Sequence, residues 1–438
     1  MSRYLITCTP AHGHVVPLLQ IARHLLSRGH DVSFLTSSRY AERVQAAGAR
    51  FLPLPVDADV DLDDADGAFP ERRGLTGPAA LRFDMSNLFV RPGAAQLAAV
   101  RTALAAGHVD AVLTEPLFIG AALLQRLPRE QRPPVVVLGI FPLGARSRDA
   151  APFGLGVTPL PGPVGRLRNA ILRLIAEKAI FGAVQREADA VARREVGRPL
   201  GGFVLDWAGR ADAYVQFTVP EFEYPRSDLP DTVRFVGPLP SPASDQSLPE
   251  WWADLDAERP VVHVTQGTIA NADFTQLVIP TITALAGSDA LVVVSTGGRE
   301  VSALPAELPA NVRVAEYLPY DVLLPRIDLL VTNGGYGGVQ QALRHGVPIV
   351  VAGQTEDKVE VSARVGWSGS GVNLRTNSPT PDQVRRAVTQ VLGNEAYREK
   401  ARTIGTAMRE ADAWRSLAEV LDAVRVGFSP TRRFESVD

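Results

Sequence analysis

The run Asp328 to Gly346 reads Asp-Leu-Leu-Val-Thr-Asn-Gly-Gly-Tyr-Gly-Gly-Val-Gln-Gln-Ala-Leu-Arg-His-Gly, and it constrains the fold more than any other stretch. Leu329, Leu330 and Val331 form the short apolar run of a parallel strand buried on both faces. Four glycines follow between Gly334 and Gly338, after which Val339, Ala342 and Leu343 recur at helical spacing. The pattern predicts a strand that ends in a glycine-rich turn and hands over to a helix N-terminus. Such a junction binds anions. The free N–H groups of the first turn and the positive end of the helix dipole face whatever lies above the strand, and glycine lets a phosphate approach the backbone. A single glycine ends most turns, so four in five residues ask for a further reason.

A chain of 438 residues is too long for one core and suits two domains or three. Its 46% hydrophobic and 21% charged residues are those of an ordinary globular protein. A net charge of -3 with both signs interspersed offers no basic face to nucleic acid and no polybasic patch to a membrane. Cys8 is the only cysteine, which removes a disulfide framework and a cysteine-based zinc site and suits a reducing cytoplasm. Tyr4 to Thr7 is too short for a signal-peptide core, and no run reaches the roughly 18 apolar residues of a membrane span.

From the start of the chain, Tyr4–Cys8 reads as a strand, residues 9–14 as a turn, and the apolar residues from Val16 to Leu26 as a helix that Gly29 stops. Asp31–Thr36 and Phe51–Leu54 read as strands flanking a helix at Ala41–Ala47, and Val109–Leu113 and Pro134–Ile140 as further strands. Strands alternating with helices predict a parallel, doubly wound sheet that binds ligands at strand C-termini. Asp57 to Asp66, with six Asp, reads as a solvated connection without calcium-loop spacing. Val164–Glu195 reads as amphipathic helix, with Leu167, Ile171, Leu174, Ile175 and Ile180 turned to the core. The first domain, 1–236, ends at a Pro-rich linker, 237–260. The grammar then repeats over 261–405. Strands are expected at Val261–Thr265, Leu291–Ser295, Val312–Ala315 and Ile349–Val351, and the turn Gln266-Gly267-Thr268 opens a helix. A helix and tail fill 406–438, the helical stretch Asp382–Val424 reading as two segments. The cleft between two facing sheets is the expected site.

Two histidines, His12 and His14, follow the first strand, where side chains point into that cleft and an imidazole suits general-base work near neutral pH. His14 stands where the turn enters the helix and is the better placed of the two. Glu115 ends the Val109–Leu113 strand, where an acid can hold a histidine's tautomer and stabilise its imidazolium. A base on one sheet and an anion-binding helix on the other point to attack on a phosphorylated donor.

These residues resemble the nucleotide-sugar glycosyltransferases of the plant and antibiotic type, which have the GT-B fold: α/β, two facing Rossmann-like doubly wound parallel-sheet domains with an interdomain cleft. The resemblance covers nearly the whole chain, through Pro10–Leu19, Pro220–Pro238, Gln266–Thr268 and Tyr317–Lys358. It implies an inverting, metal-independent transfer from UDP-glucose, or else a dTDP-sugar, to a hydroxyl of a lipophilic natural product such as a polyketide or flavonoid. His14 would be the base and Glu115 the acid that orients it. On the donor side it implies Tyr317 stacking on the nucleobase, Gly267 and Thr268 as a second phosphate loop, and Asn333, Gly334, Gly335, Gly337 and Gly338 on the diphosphate. Gln341 would reach the ribose, with Asp357 and Lys358 at the sugar. Asn333, Gln341 and Lys358 depart from the usual His, Glu and Gln. No cofactor or metal is expected; the partners are the donor and the acceptor, with the chain a monomer or homodimer. A non-catalytic auxiliary partner and a nucleotide-sugar epimerase remain alternatives, whereas neither glycine turn spells the GxGxxG of a dehydrogenase. Leu88, Phe89, Phe118, Ile119, Phe141 and Phe153 supply an apolar acceptor wall or core.

Overall fold

The computed structural model describes residues 1–62, 64–241, 247–268 and 271–427. Parts of the expected acidic connection, linker, helix after the Gln266–Thr268 turn and tail (63, 242–246, 269–270 and 428–438) lie outside the described residues.

Seven strands form the first sheet: β1 (Arg3–Thr7), β2 (Asp31–Thr36), β3 (Arg50–Pro53), β4 (Ala111–Thr114), β5 (Val135–Gly139), β6 (Ala213–Gln216) and β7 (Val233–Phe235). They lie in the order β3-β2-β1-β4-β5-β6-β7, all neighbours parallel. The second sheet holds β8 (Val261–Thr265), β9 (Leu291–Ser295), β10 (Val312–Ala315), β11 (Leu329–Thr332), β12 (Ile349–Val351) and β13 (Gly371–Asn373) in the order β10-β9-β8-β11-β12-β13, also parallel. Each sheet is covered on both faces, which is why β4, β5, β9 and β11 are continuous apolar runs. The period of two still shows. Leu5 joins the core on one face of the first sheet while Tyr4 and Ile6 join the core on the other. Fully burying each such side chain contributes about 1.5–3 kcal/mol.

Strand order reverses between β1 and β4 in the first sheet and between β8 and β11 in the second. Crevices open beyond the C-terminal ends of strands at such reversals.

Several local expectations are corrected. The first helix spans His12–Ser27, so both histidines lie inside it, with the Ala11 carbonyl accepting from the His14 and Val15 amides. Among the described residues, the helix after β8 begins only at Val278. The Gln266 side chain reaches it from the β8 end and accepts from the Leu277 and Val278 amides, a cap supplied from a distance. The C-terminal region is three helices, Pro381–Leu392, Glu395–Glu410 and Ala413–Gly427. Part of the acidic connection is paired rather than merely solvated, Asp61 with Arg39 and Asp66 with Arg72.

The amphipathic region turns the opposite way to the expected one. Helix Gly162–Leu174 leaves Leu167 63%, Ile171 51% and Leu174 61% exposed, with Ile175 beyond it at 47%. Its inner side carries Gly165 and Asn169. The surface it covers is an irregular segment with free carbonyls, which needs donors more than apolar contact. Asn169 donates to the Arg148 carbonyl at 3.1 Å and Arg168 to that of Thr158 at 2.9 Å. Of the residues expected in the core, only Ile180 packs against it.

Helix Ala413–Gly427 crosses back to the first domain. Ala413, Leu417 and Leu421 complete the core beneath β1, and Trp414 stacks flat on His24 with ring centroids 4.1 Å apart.

Candidate functional site

The β1–β4 reversal brings His14 and Glu115 together. Thr7 and Thr114 end these strands side by side and share a hydrogen bond of 2.8 Å. One residue beyond β4, the Glu115 carboxylate is fully buried. Its Oε1 accepts from the Thr9 amide and hydroxyl and its Oε2 from the Leu117 amide at 2.6 Å. His14 Nδ1 is buried 3.4 Å from Oε2, while the ring as a whole stays 19% exposed. Nδ1 therefore faces the acid, and the ring keeps a partly exposed edge.

The electrostatics couple across the cleft. Burial alone would push the His14 imidazolium down, but the Glu115 charge and then Asp357 and Glu356 of the other domain outweigh it, so His14 lies above its ordinary value. Burial pushes Glu115 up, and His14, Thr9 and the Leu117 amide more than reverse this. His12 is placed differently. Its Nδ1 lies 3.1 Å from Arg43, and burial and then Arg43 and Arg39 depress it.

The β8–β11 reversal gathers the donor-side residues. Asn333 leaves β11 and donates to the Gln266 carbonyl at 2.6 Å, tying the two strand ends together. Gly334 has φ +90° and turns the chain into helix Tyr336–Arg344, with Gly335 as its N-cap. A Cβ at Gly335, Gly337 or Gly338 would meet nothing within 4 Å. None of the three has a positive φ, so neither packing nor backbone geometry requires glycine there. The bare first turn presents its unpaired amides to open space. Gln341 stands half-exposed in the next turn. Gly267, at φ +71°, and exposed Thr268 follow β8, and half-exposed Tyr317 lies over Gly298 two strands away on the same edge.

Beyond β12, Glu356 is held at φ +54°, a left-handed conformation that costs a non-glycine residue about 1–3 kcal/mol. Its carboxylate pairs with Lys358. Asp357, between them, stands at the N-cap position of helix Lys358–Ser368 without a side-chain capping bond and is pushed up to about 6, by burial first and then by Glu356. Gln266, Asn333, Thr355, Lys358 and Asn377 line a cavity of about 270 Å³, in which Lys358 is the one cation among the described lining residues. Among the described residues, no three His, Cys, Asp or Glu side chains group as a metal site, and no helix is long and apolar enough to cross a membrane.

Leu88, Phe118 and Ile119 are core. Phe141 and Phe153 are only part-buried, and Phe141 lies 5.8 Å from the His14 ring and 5.9 Å from Phe153. Sequence reasoning passed over Gln216 and Tyr336. Gln216, at the end of β6, donates to the Phe141 carbonyl at 2.9 Å and to the Tyr336 hydroxyl at 3.3 Å, joining the first domain to the glycine helix. Tyr336 carries a legible signal, the one bulky residue among the glycines.

Comparison with known proteins fits this geometry. Residues 280–424 match the model of the erythromycin biosynthesis protein CIII-like C-terminal domain. The 4'-demethylrebeccamycin synthase of Lentzea aerocolonigenes is 41% identical over 429 residues, covering 97% of this chain and 98% of that protein. The chain belongs to the GT-B antibiotic glycosyltransferases. UDP-glycosyltransferase 2 of Phaeomoniella chlamydospora is 35% identical to this transferase, over 95% of this chain and 94% of its own. The crystal structure of CalG4, the calicheamicin glycosyltransferase, superposes with a TM-score of 0.72 at 22% identity, over 98% of the transferase and 100% of CalG4, a likeness of fold.

Proposed function

We propose that the protein moves a sugar from a nucleoside diphosphate donor to a hydroxyl of a lipophilic small molecule, with inversion and without a metal. The observation that carries this reading is the His14–Glu115 pair at one strand reversal, electrostatically coupled to Asp357 beyond the other. Glu115 holds the Nδ1–H tautomer, leaving Nε2 to take the acceptor's hydroxyl proton. The freed oxygen forms its bond to the anomeric carbon as the bond from that carbon to the diphosphate breaks, and a single displacement inverts the centre. Charge growing on the leaving diphosphate falls to the first-turn amides at Tyr336–Gly338, with Asn333 and Lys358 beside them. In the same reading Gly267 and Thr268 approach the phosphates, Tyr317 the base, Gln341 the ribose and Asp357 the sugar hydroxyls. Phe141 and Phe153 offer the acceptor an apolar wall. UDP-glucose stands first because close relatives carry UDP in their names, and a dTDP-sugar second.

Calorimetric titration with UDP and dTDP in EDTA tests the donor side. Saturable micromolar binding of one of them is expected, with turnover unchanged by the chelator. Turnover that vanishes in EDTA and returns with a divalent cation would end the metal-independent mechanism.

The pH profile tests the pair. A base must be neutral, so kcat/KM should fall as pH drops through the raised His14 value, above 6.5. In Glu115→Gln, burial of His14 is no longer opposed by that charge, and the acid limb should move to lower pH with a reduced maximum. A limb that stays in place would separate Glu115 from the base.

A further inference from the structure

Four charged side chains, each 5% exposed or less, meet between the domains: Glu223 and Arg226 after β6, and Glu360 and Arg364 one turn apart on helix Lys358–Ser368. Arg364 donates to Glu360 Oε2 at 2.8 Å and to Glu223 Oε2 at 2.9 Å, and Arg226 to Glu223 Oε2 at 3.3 Å. Two cations thus balance two anions through one oxygen of each carboxylate. The other oxygens turn to the segment that follows β5. Glu223 Oε1 accepts from the Leu143 amide at 2.8 Å, and Glu360 Oε1 from the amides of Gly154 at 2.8 Å and Gly156 at 2.9 Å.

The ion pairs alone would not require this. Glu360 stands more than 200 residues along the chain from the two glycines, three residues after Asp357, on the helix that begins at the donor-side turn. The segment it grips carries Phe141 and Phe153, whose tilted rings form a chain of contacts to His14. Contact at the grip is close. Gly156 has φ +59°, and a Cβ there would stand 2.6 Å from Val359 Cγ2 and 3.2 Å from the Val359 carbonyl oxygen.

We infer that Glu360 is a positioning residue: it latches the 141–156 segment of the first domain onto the donor-side helix, so that the wall beside His14 is set by the second domain. The wall's service to an acceptor rests on the transferase reading above; the latch itself does not.

The test compares Glu360→Ala, Glu360→Gln and Gly156→Ala in the full chain. Glu360→Ala removes the acceptor oxygen, Glu360→Gln keeps one while dropping the charge, and Gly156→Ala forces the segment off Val359 without touching a charge. In Glu360→Ala and Gly156→Ala, amide exchange across 141–158 should quicken about tenfold or more while β1, β4, β8 and β11 keep their protection. Acceptor KM should rise about tenfold while the Kd for UDP, or for dTDP if that is the one bound, stays within about twofold, a split that general destabilisation would not give. Glu360→Gln, whose one oxygen can still accept from the Gly154 and Gly156 amides while its NH2 faces Arg364, should recover part of both exchange and KM. If Glu360→Ala does not fold, Gly156→Ala decides alone. Unchanged exchange across 141–158, equal losses of acceptor and nucleotide affinity, or a Gln variant no better than Ala overturns the latch. A wild-type protein that turns over no acceptor sinks the transferase reading, and the exchange data then decide the latch.

Discussion

His14→Ala is expected to lower kcat by about 10²–10⁴-fold, the usual contribution of a positioned general base, while nucleotide affinity stays within a few-fold. The asymmetry follows from where the side chain sits. His14 belongs to the first domain and touches Glu115 and the Phe141 ring, whereas the glycine helix, the Gln266 turn and Lys358 belong to the second. Loss of the imidazole therefore removes a proton acceptor and leaves the diphosphate amides as they were. Glu115 would keep its three hydrogen bonds from Thr9 and Leu117, so the variant should fold. Steady-state rates beside calorimetry give the answer, and a variant turning over within about threefold of wild type would require another base.

The second large effect is on stability. Arg364→Ala should cost about 3–5 kcal/mol, because it removes a buried cation shared by two buried carboxylates rather than deleting one surface pair. Arg364 is also stacked 4.2 Å from the Tyr224 ring centroid and reaches toward the Leu143 carbonyl. Arg226 remains to offset Glu223, but Glu360 is left with no partner from the network. A urea titration measures the loss as a shifted midpoint with an unchanged slope. The loss should also depend on pH. Burial pushes Glu223 up and Arg364, then Arg226, pull it below its usual value, so wild-type stability from this group is present above about 4.5 and is lost as pH falls further. The variant lacks the Arg364 part of that contribution. The gap between the two proteins should therefore narrow in acid, and a gap that stays constant as pH falls well below about 4.5 would mean that the carboxylates are not what Arg364 stabilises.

The alternation of buried runs with helical periods was legible because each sheet is covered on both faces, so β8, β9 and β12 are buried throughout at their expected bounds, while β10, at the sheet edge and buried only at Val312, keeps its expected bounds as well. β13, three residues with one apolar side chain, carries too little pattern to find. The placement of His14 near Glu115 followed from reading both at strand ends. Strand order, which makes them neighbours, is a property of the whole sheet. What misled was local amphipathicity. Leu167, Ile171 and Leu174 form a helical stripe that a periodic reading turns inward, but the surface beneath offers carbonyls, and Asn169 and Arg168 win it. The Glu360–Arg364 pair shows as a spacing of four, yet its other half, Glu223 and the Gly154 and Gly156 amides, comes from the far domain through no local rule.

The helix Ala413–Gly427 gives the order of synthesis a part in folding. Everything in the first sheet has been made by residue 235, but the core beneath β1 still lacks Ala413, Leu417 and Leu421, and His24 lacks Trp414. On the ribosome the first domain therefore waits, with that apolar face uncovered, while the second is translated. A fragment ending near residue 236, made to study acceptor binding alone, would carry the same bare face and a tendency to associate; co-expression with a peptide spanning 413–427 is the natural way to cover it.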